Sequence, residues 1–415
     1  MLTDSQKDQL HQAIFDYLKT KNYEEAATAF EQSCPSLDGG TSPSATVGKP
    51  TVLEKKWVST LRLQKKVLEL ESLLKRSPAN NNHDCATVSS SVSSSLSGRV
   101  LPSVSSDPMK VCKGHRGGGI TSVSIHPFQT VVATSGEDGT VKLWDWESGE
   151  FMKTLKGHTG GVQDVAFSLS GDMLASSSSD LSIKLWDCEK NHECTKTLRG
   201  HGHNIMKVRF LPAPYDGSLV SCSRDGTVKI WEITSGFCSC TLGDSESWIR
   251  ALDVKCDGTE IAAGGNSNVI TVYDTDAKSE KQTLRGHDHV INSIAYPPLP
   301  TPSSESSGDV SNNLLVSASR DKTVRVWNTA TGVNLHTFTD HDNWVRDVLV
   351  HRSGNFVISV SDDKSVIVFD VKNKRKLKEI PEAHEHFVTA IAMHPKMPIM
   401  ATGGVDNTLR LWPCS

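Results

Sequence analysis

A hydroxyl residue, a histidine and an aspartate recur together along this chain. They are the three side chains with which a hydrolase activates a hydroxyl for attack on a carbonyl. The sets are His115/Thr134/Asp138, His158/Ser176/Asp180, His201/Ser221/Asp225, His287/Ser317/Asp321, His341/Ser359/Asp363 and His384/Thr402/Asp406. Repeated copies of one active site have no catalytic use. Each set also travels with an aromatic residue: Trp144, Trp186, Trp231, Trp327, Phe369 and Trp412 in the same order. The repetition therefore predicts a structural hydrogen-bond network joining turn, strand and loop, and no catalytic residue. The pairs His201/His203, His287/His289 and His384/His386 could ligate a metal. They fall in separate repeats, and the first of each belongs to the network, so no metal centre is expected. The sequence has no phosphate-cradling glycine loop and no glycosidase-like carboxylate pair, and no cofactor is predicted.

The elements that carry these sets repeat as well. The histidines at 115, 158, 201, 287, 341 and 384 are spaced by 43 residues, apart from one interval of 86 and one of 54. Each unit ends in a turn and an alternating β-branched strand: EDGTVKLWD, SDLSIKLWD, RDGTVKIWE, NSNVITVYD, RDKTVRVWN, DDKSVIVFD and VDNTLRLWP. This is the WD-repeat signature, and it predicts an all-β propeller of seven four-stranded blades. The segment MKVCKGH at 109–115 has no blade before it, and the last unit lacks its outer strand. The two ends are expected to complete one blade together, which removes an open sheet edge. Blade 4 carries Asp244, Ala263, Ser267 and Tyr273 in place of the network. Loss as a set is what a shared buried network predicts, because half of one is worse than none.

Two columns reach the face around the central channel. Three residues past the histidine stand Gly118, Gly161, Asn204, Ser247 or Trp248 (given a one-residue slip), Val290, Trp344 and Phe387. Ahead of each turn aspartate stand Glu137, Ser179, Arg224, Asn266, Arg320, Asp362 and Val405. One arc of the face is thus aromatic and apolar, with Trp248, Val290, Trp344 and Phe387 in consecutive blades. Arg224 and Arg320 border it, and Arg250, Arg346 and Lys364 lie close in sequence. Aromatics interleaved with arginines compose a protein–protein hot spot; the competing reading is that the rings pack between blades.

Upstream, Leu10, Ile14 and Leu18 share one helical face and Tyr23, Ala26, Ala27 and Phe30 another, a pair of helices that needs a second copy to cover its stripes. Residues 53–76 read in heptads with Lys56, Thr60, Leu63, Val67, Leu70 and Leu74 at core positions and Lys66 facing Glu71 across g and e. The expectation is a short parallel coiled coil, the alternative being one amphipathic helix on the body. The expected boundaries are 1–38 for the helical dimerisation motif, 53–76 for the coiled coil, 77–108 for a Ser-rich flexible linker and 109–415 for the propeller. The formal net charge of −4 gives no pull toward nucleic acid, and no apolar run is long enough to span a membrane. The scattered cysteines read as reduced, structural thiols, with Cys238 and Cys240 on one sheet face. The insertion PPLPTPSSESSGDVSNN at 297–313 reads as a tolerated surface loop.

The order LHQAIFDYLKTKNYEEAATAF, LEKKWVSTLRLQKKVLELESLL, then WD repeats containing HDNWVRDV and EHEHFVTAI resembles the lissencephaly-type dynein regulators. These are also called nuclear distribution proteins and the non-catalytic subunit of a platelet-activating-factor acetylhydrolase. The likeness spans the chain apart from the linker. It departs in the Ser-rich residues 76–109, at Asn22 where the Lis-homology motif usually has glycine, and in blade 4. The resemblance implies a cytoplasmic, microtubule- and spindle-associated homodimer without enzymatic activity. Its propellers would bind the cytoplasmic dynein motor domain and relieve autoinhibition in nuclear migration and retrograde transport. The residues matching the family's motor contacts are Arg224, Arg250, Arg320, Trp344 and Lys364. Nuclear-distribution coiled-coil adaptors and acetylhydrolase catalytic subunits are further implied partners. A nuclear corepressor or ubiquitin-ligase scaffold is the alternative, since those families also join Lis-homology motifs to WD repeats.

Overall fold

The computed structural model describes residues 107–243, 246–298 and 313–414. The expected dimerisation residues (Leu10 to Leu18 and Leu63 to Leu74), almost all of the linker, Asp244 and most of the blade 5 insertion lie outside them. Seven antiparallel sheets of four strands each make the propeller, every sheet running in chain order from its inner to its outer strand, except the last. Blade 1 is built from Ile120–Ile125, Val131–Gly136, Val141–Asp145 and Phe151–Leu155. Blade 7 takes Val388–Met393, Ile399–Gly404 and Thr408–Pro413 from the end of the chain and its outer strand, Lys110–Lys113, from the beginning. That clasp pairs Lys110 with Leu411 through Lys113 with Thr408. The ring closes as the bookkeeping of the repeats requires.

The burial pattern explains the strand types. The second strands are mostly apolar or small, as in VVATSG and FVISVS, and are buried at every position apart from Met173 and Ser218 at the start of two of them, because blades cover both faces. The outer strands, such as ECTKTLR, are far less buried, and each buries one residue toward the ring: a leucine in blades 1 to 4, Phe338, Ile380 and Cys112 in blades 5 to 7. Apolar side chains gather into seven clusters, one at each seam between neighbouring blades. The closing seam sets Ile120, Val123 and Trp144 against Ala401, Leu409 and Leu411. It is packed like the others, for example Val360 and Val368 against Met400 and Trp412. Each large side chain so buried contributes about 1.5–3 kcal/mol, so no seam is left as a weak joint.

The inner strands share one irregularity. In all seven blades the pairing between first and second strand skips one residue near its start. The skipped residues are Thr121, Gln163, Met206, Arg250, Asn292, Arg346 and Thr389. A bulge of this kind takes a side chain out of the alternation and re-aims it. The described cysteines are free thiols; Cys238 and Cys240 share one outer strand, with a register shift between them.

Candidate functional site

The recurring sets form the network that the sequence predicts. In blade 5, His287 Nδ1 lies 2.7 Å from Asp321 Oδ2 and Nε2 lies 2.6 Å from Ser317 Oγ, while Trp327 Nε1–H donates to the same hydroxyl at 2.8 Å. Blades 1, 2, 3 and 7 repeat this arrangement. Blade 6 keeps His341, Ser359 and Asp363 at the same distances, but Phe369 supplies no donor. The hydroxyl accepts from the indole, so its own proton goes to the imidazole Nε2, and the imidazole donates through Nδ1 to the aspartate. The neutral ring fits this chain of donors. Burial also lowers the His115 and His158 pKa values against the opposing pull of Asp138 and Asp180. Burial alone would raise the Asp180 carboxyl, but bonds from Ser182 and His158 hold it down at about 2. Every hydroxyl is turned to its own aspartate–histidine pair and is fully buried, with no space for a carbonyl substrate.

The second histidine of each His-x-His pair has a separate task. Nδ1 of His203, His289 and His386 accepts the N–H of Asn204, Val290 and Phe387 respectively, and in blade 6 Asn343 Oδ1 accepts Trp344 N–H at 2.8 Å. These bonds fix the residue that opens each inner strand. Among the described residues no group of three His, Cys, Asp or Glu is placed to hold a metal.

The two face columns meet through one backbone bond per blade. The N–H ahead of the turn aspartate donates to the carbonyl of the strand-opening residue: Asn266 to Trp248 at 2.9 Å, Arg320 to Val290 at 2.9 Å, Asp362 to Trp344 at 3.0 Å, Val405 to Phe387 at 2.9 Å. This bond resolves the uncertain register of blade 4 in favour of Trp248. It also corrects blade 1: Glu137 N–H bonds Gly119, not Gly118. The run of three glycines after Arg116 holds one extra residue, and positive φ at each absorbs it.

Trp248 and Trp344 remain 38% and 36% exposed, so neither ring is inter-blade core. Each lies between two arginines. The guanidinium of Arg224, from the turn of the preceding blade, stands 4.9 Å from the Trp248 ring, and Arg250 stands 5.4 Å away. Arg320 and Arg346 flank Trp344 at 4.6 and 5.4 Å. In each stack one arginine comes from a turn and the other from a bulge. Their far sides are tied down: Arg346 makes a two-pronged bond with Asp362 at 2.6 and 2.7 Å, Arg250 Nε bonds Asn266 at 2.8 Å, and Arg320 Nε bonds Asn292 at 3.2 Å. The four cations crowd one another. Burial, then the fields of Arg320, Arg224 and Arg346, push the Arg250 pKa down to about 10, and burial with Arg346 lowers that of Arg320. Asp362 is the carboxylate bonded within the group. The arrangement can hold flat apolar and acidic surface from another macromolecule in fixed geometry.

Of the sequence-predicted residues, the structure thus joins Arg224, Arg250, Arg320, Trp248 and Trp344. Lys364 stands in the blade 6 turn with φ of 69°, its carbonyl accepting Ala383 N–H, outside both stacks. Phe387 opens the blade 7 strand half-buried, edge-on to His386 at 4.3 Å, and also stands apart. Arg346, with its brace Asp362, completes the second stack, although the sequence reading named it only as a neighbour.

Comparison with known proteins divides along the same lines. A family profile described as the PAC1 LisH domain matches residues 4–35, and one described as the IFT122 first beta-propeller matches residues 119–413. The nuclear distribution protein PAC1 of Coccidioides posadasii is 35% identical over 425 residues, covering 96% of this chain and 87% of the relative. The nuclear distribution protein nudF of Emericella nidulans is 35% identical over 453 residues, 99% of both chains. The PAC1 protein of Gibberella zeae is 35% identical over 429 residues, 97% of this chain and 90% of the relative.

Proposed function

The chain belongs to the nuclear distribution protein family, and from that premise we propose that it regulates cytoplasmic dynein by binding the motor domain through its tryptophan–arginine face. The observation that carries this reading is the pair of arginine-flanked, partly exposed tryptophans on one face of a closed ring. A rigid face with four guanidiniums favours whichever motor conformation presents complementary acidic and apolar surface. Differential affinity of that kind shifts a motor out of an autoinhibited state without chemistry of its own. The protein is a non-enzymatic binder in this reading, and it serves nuclear positioning, spindle positioning and retrograde transport at microtubules in the cytoplasm.

Residues 1–38 and 53–76 supply the homodimer in the same proposal, through Leu10, Ile14, Leu18, Leu63, Val67, Leu70 and Leu74. Residues 77–108 tether them to the propeller at 109–415. Two propellers on one dimer add avidity where both motor rings are reachable. Nuclear-distribution coiled-coil adaptors and acetylhydrolase catalytic subunits are the further partners. Lys364 and Phe387 extend the motor contact toward blade 7.

The test is a pull-down of purified dynein motor domain by wild-type protein, Arg320→Ala/Trp344→Ala and Arg224→Ala/Trp248→Ala, with circular dichroism confirming the fold. Each double variant should lose most of the bound motor. Undiminished binding by both folded variants would place the contact elsewhere, and no binding even by wild type would favour the corepressor or ubiquitin-ligase scaffold reading.

A further inference from the structure

At the outer edge of blade 1, beside the end of the clasp strand, a shallow dent is lined by Lys113, Arg116, Lys142 and Lys156, together with Phe151 and Thr154. These cations belong to four positions that recur in every blade: two before the network histidine, one after it, two before the Trp position, and two before the next histidine. Only blade 1 fills all four with Lys or Arg. Blade 6 has Thr339, Asp342, Ile367 and Glu382 there, so the charge is a property of this blade and not of the repeat. Asp138, the carboxylate among the lining residues, is already engaged by His115, the Thr140 hydroxyl at 2.7 Å and the Arg116 N–H at 3.2 Å. Lys142 Nζ bonds only a neutral partner, Thr154 Oγ1, at 3.2 Å, and lies 5.7 Å from the Phe151 ring. Phe151 itself is 51% exposed.

We propose that this dent binds a phosphorylated serine or threonine presented by a peptide segment. A phosphoryl group brings a charge of about −2 and three acceptor oxygens, which suits four cations set against the single carboxylate of Asp138. The exposed Phe151 ring beside Lys142 offers an apolar contact for a side chain flanking the phosphate. The dent lies outside the tryptophan–arginine stacks, so its occupancy is independent of the motor-binding proposal.

The experiment immobilises full-length protein and passes over it a peptide library with one fixed phosphoserine and degenerate flanks, beside the matched serine library. The phosphoserine library should be retained at least about tenfold better, and more so at low salt. Retention should fall by about the same factor in Arg116→Glu/Lys156→Glu, two exposed loop positions, and stay unchanged in Arg320→Ala/Trp344→Ala. Thermal melting checks that the ring is intact. Equal retention of the two libraries, or full retention by the charge-reversed variant, would overturn the proposal. Displacement by inorganic phosphate at the concentration of competing phosphopeptide would also overturn it, since the dent would then hold the free anion only.

Discussion

Blades 5 and 6 offer a matched pair for measuring what the buried network is worth. Ser317 and Ser359 are both fully buried, each 2.6 Å from its histidine, and each histidine is 2.7 Å from its aspartate. They differ in one bond: Trp327 donates to Ser317 at 2.8 Å, whereas Phe369 gives Ser359 nothing. Ser317→Ala therefore strands two buried ring nitrogens, His287 Nε2 and Trp327 Nε1, and Ser359→Ala strands one. At about 1–3 kcal/mol for each unsatisfied group, the expected losses are about 2–6 and about 1–3 kcal/mol. Urea denaturation followed by far-UV circular dichroism gives both numbers. The ratio is the sharper readout, because protein-wide errors cancel in it. A Ser359→Ala variant as destabilised as Ser317→Ala would refute the idea that the hydroxyl is a hub whose worth scales with the groups it serves.

Three other outcomes follow from the structure. Gly265→Ala should destabilise by about 2 kcal/mol or more and weaken motor binding, because an added Cβ would collide with the Trp248 carbonyl and come within 2.9 Å of Arg250 N; denaturant midpoints and the pull-down report both effects. Asp164→Asn should cost about 3–5 kcal/mol, since this buried carboxylate accepts Ser122 Oγ–H at 2.7 Å, Val208 N–H at 2.9 Å and Arg209 at 2.7 Å across the channel wall; a thermal melt unchanged from wild type would contradict it. Stability should fall on acidification in two stages. His115 and His158 are held neutral in the fold, so stability declines as pH drops below about 6.5; the depressed Asp180 adds a loss below about pH 4 that runs down to its folded value. A urea midpoint that rose between about pH 7 and pH 5 would show the sign to be wrong.

The ring, its seven blades and the shared last blade were legible because they rest on repetition, which a sequence displays openly. Arg224, Arg320 and Trp344 followed from the same columns. What escaped has a physical cause in each case. The bulges at Arg250 and Arg346 break the two-residue alternation, and no glycine or proline in the sequence marks them. Arg346 therefore read as a neighbour of the site and not as the second wall of the Trp344 stack. In blade 1 the glycines after Arg116 add a residue without changing the strand that follows, so counting from His115 landed one position short. In blade 4 the missing histidine removed the counting origin, and only the Asn266–Trp248 backbone bond settles the register. The cationic dent was legible in principle as four aligned columns, but its residues come from two strands and two loops that only the fold draws together.

The clasp strand also has a mechanical meaning. The chain enters the ring at Lys110–Lys113, so tension applied from its N-terminal side reaches the one strand, among the described residues, that is held to its blade by pairing and packing alone, without a hairpin on either side. A pull along that strand shears four residue pairs together, whereas a pull across it peels them one at a time. Cys112, buried in the closing seam with Sγ–H donating to Gly149 at 3.3 Å, is the plug that resists either motion. When the clasp slips, blade 7 is left with three strands and a bare edge, while Ile120, Val123 and Trp144 packed against Ala401, Leu409 and Leu411 still close the ring. The clasp thereby guards a sheet edge against pairing with another chain, and not the geometry of the binding face.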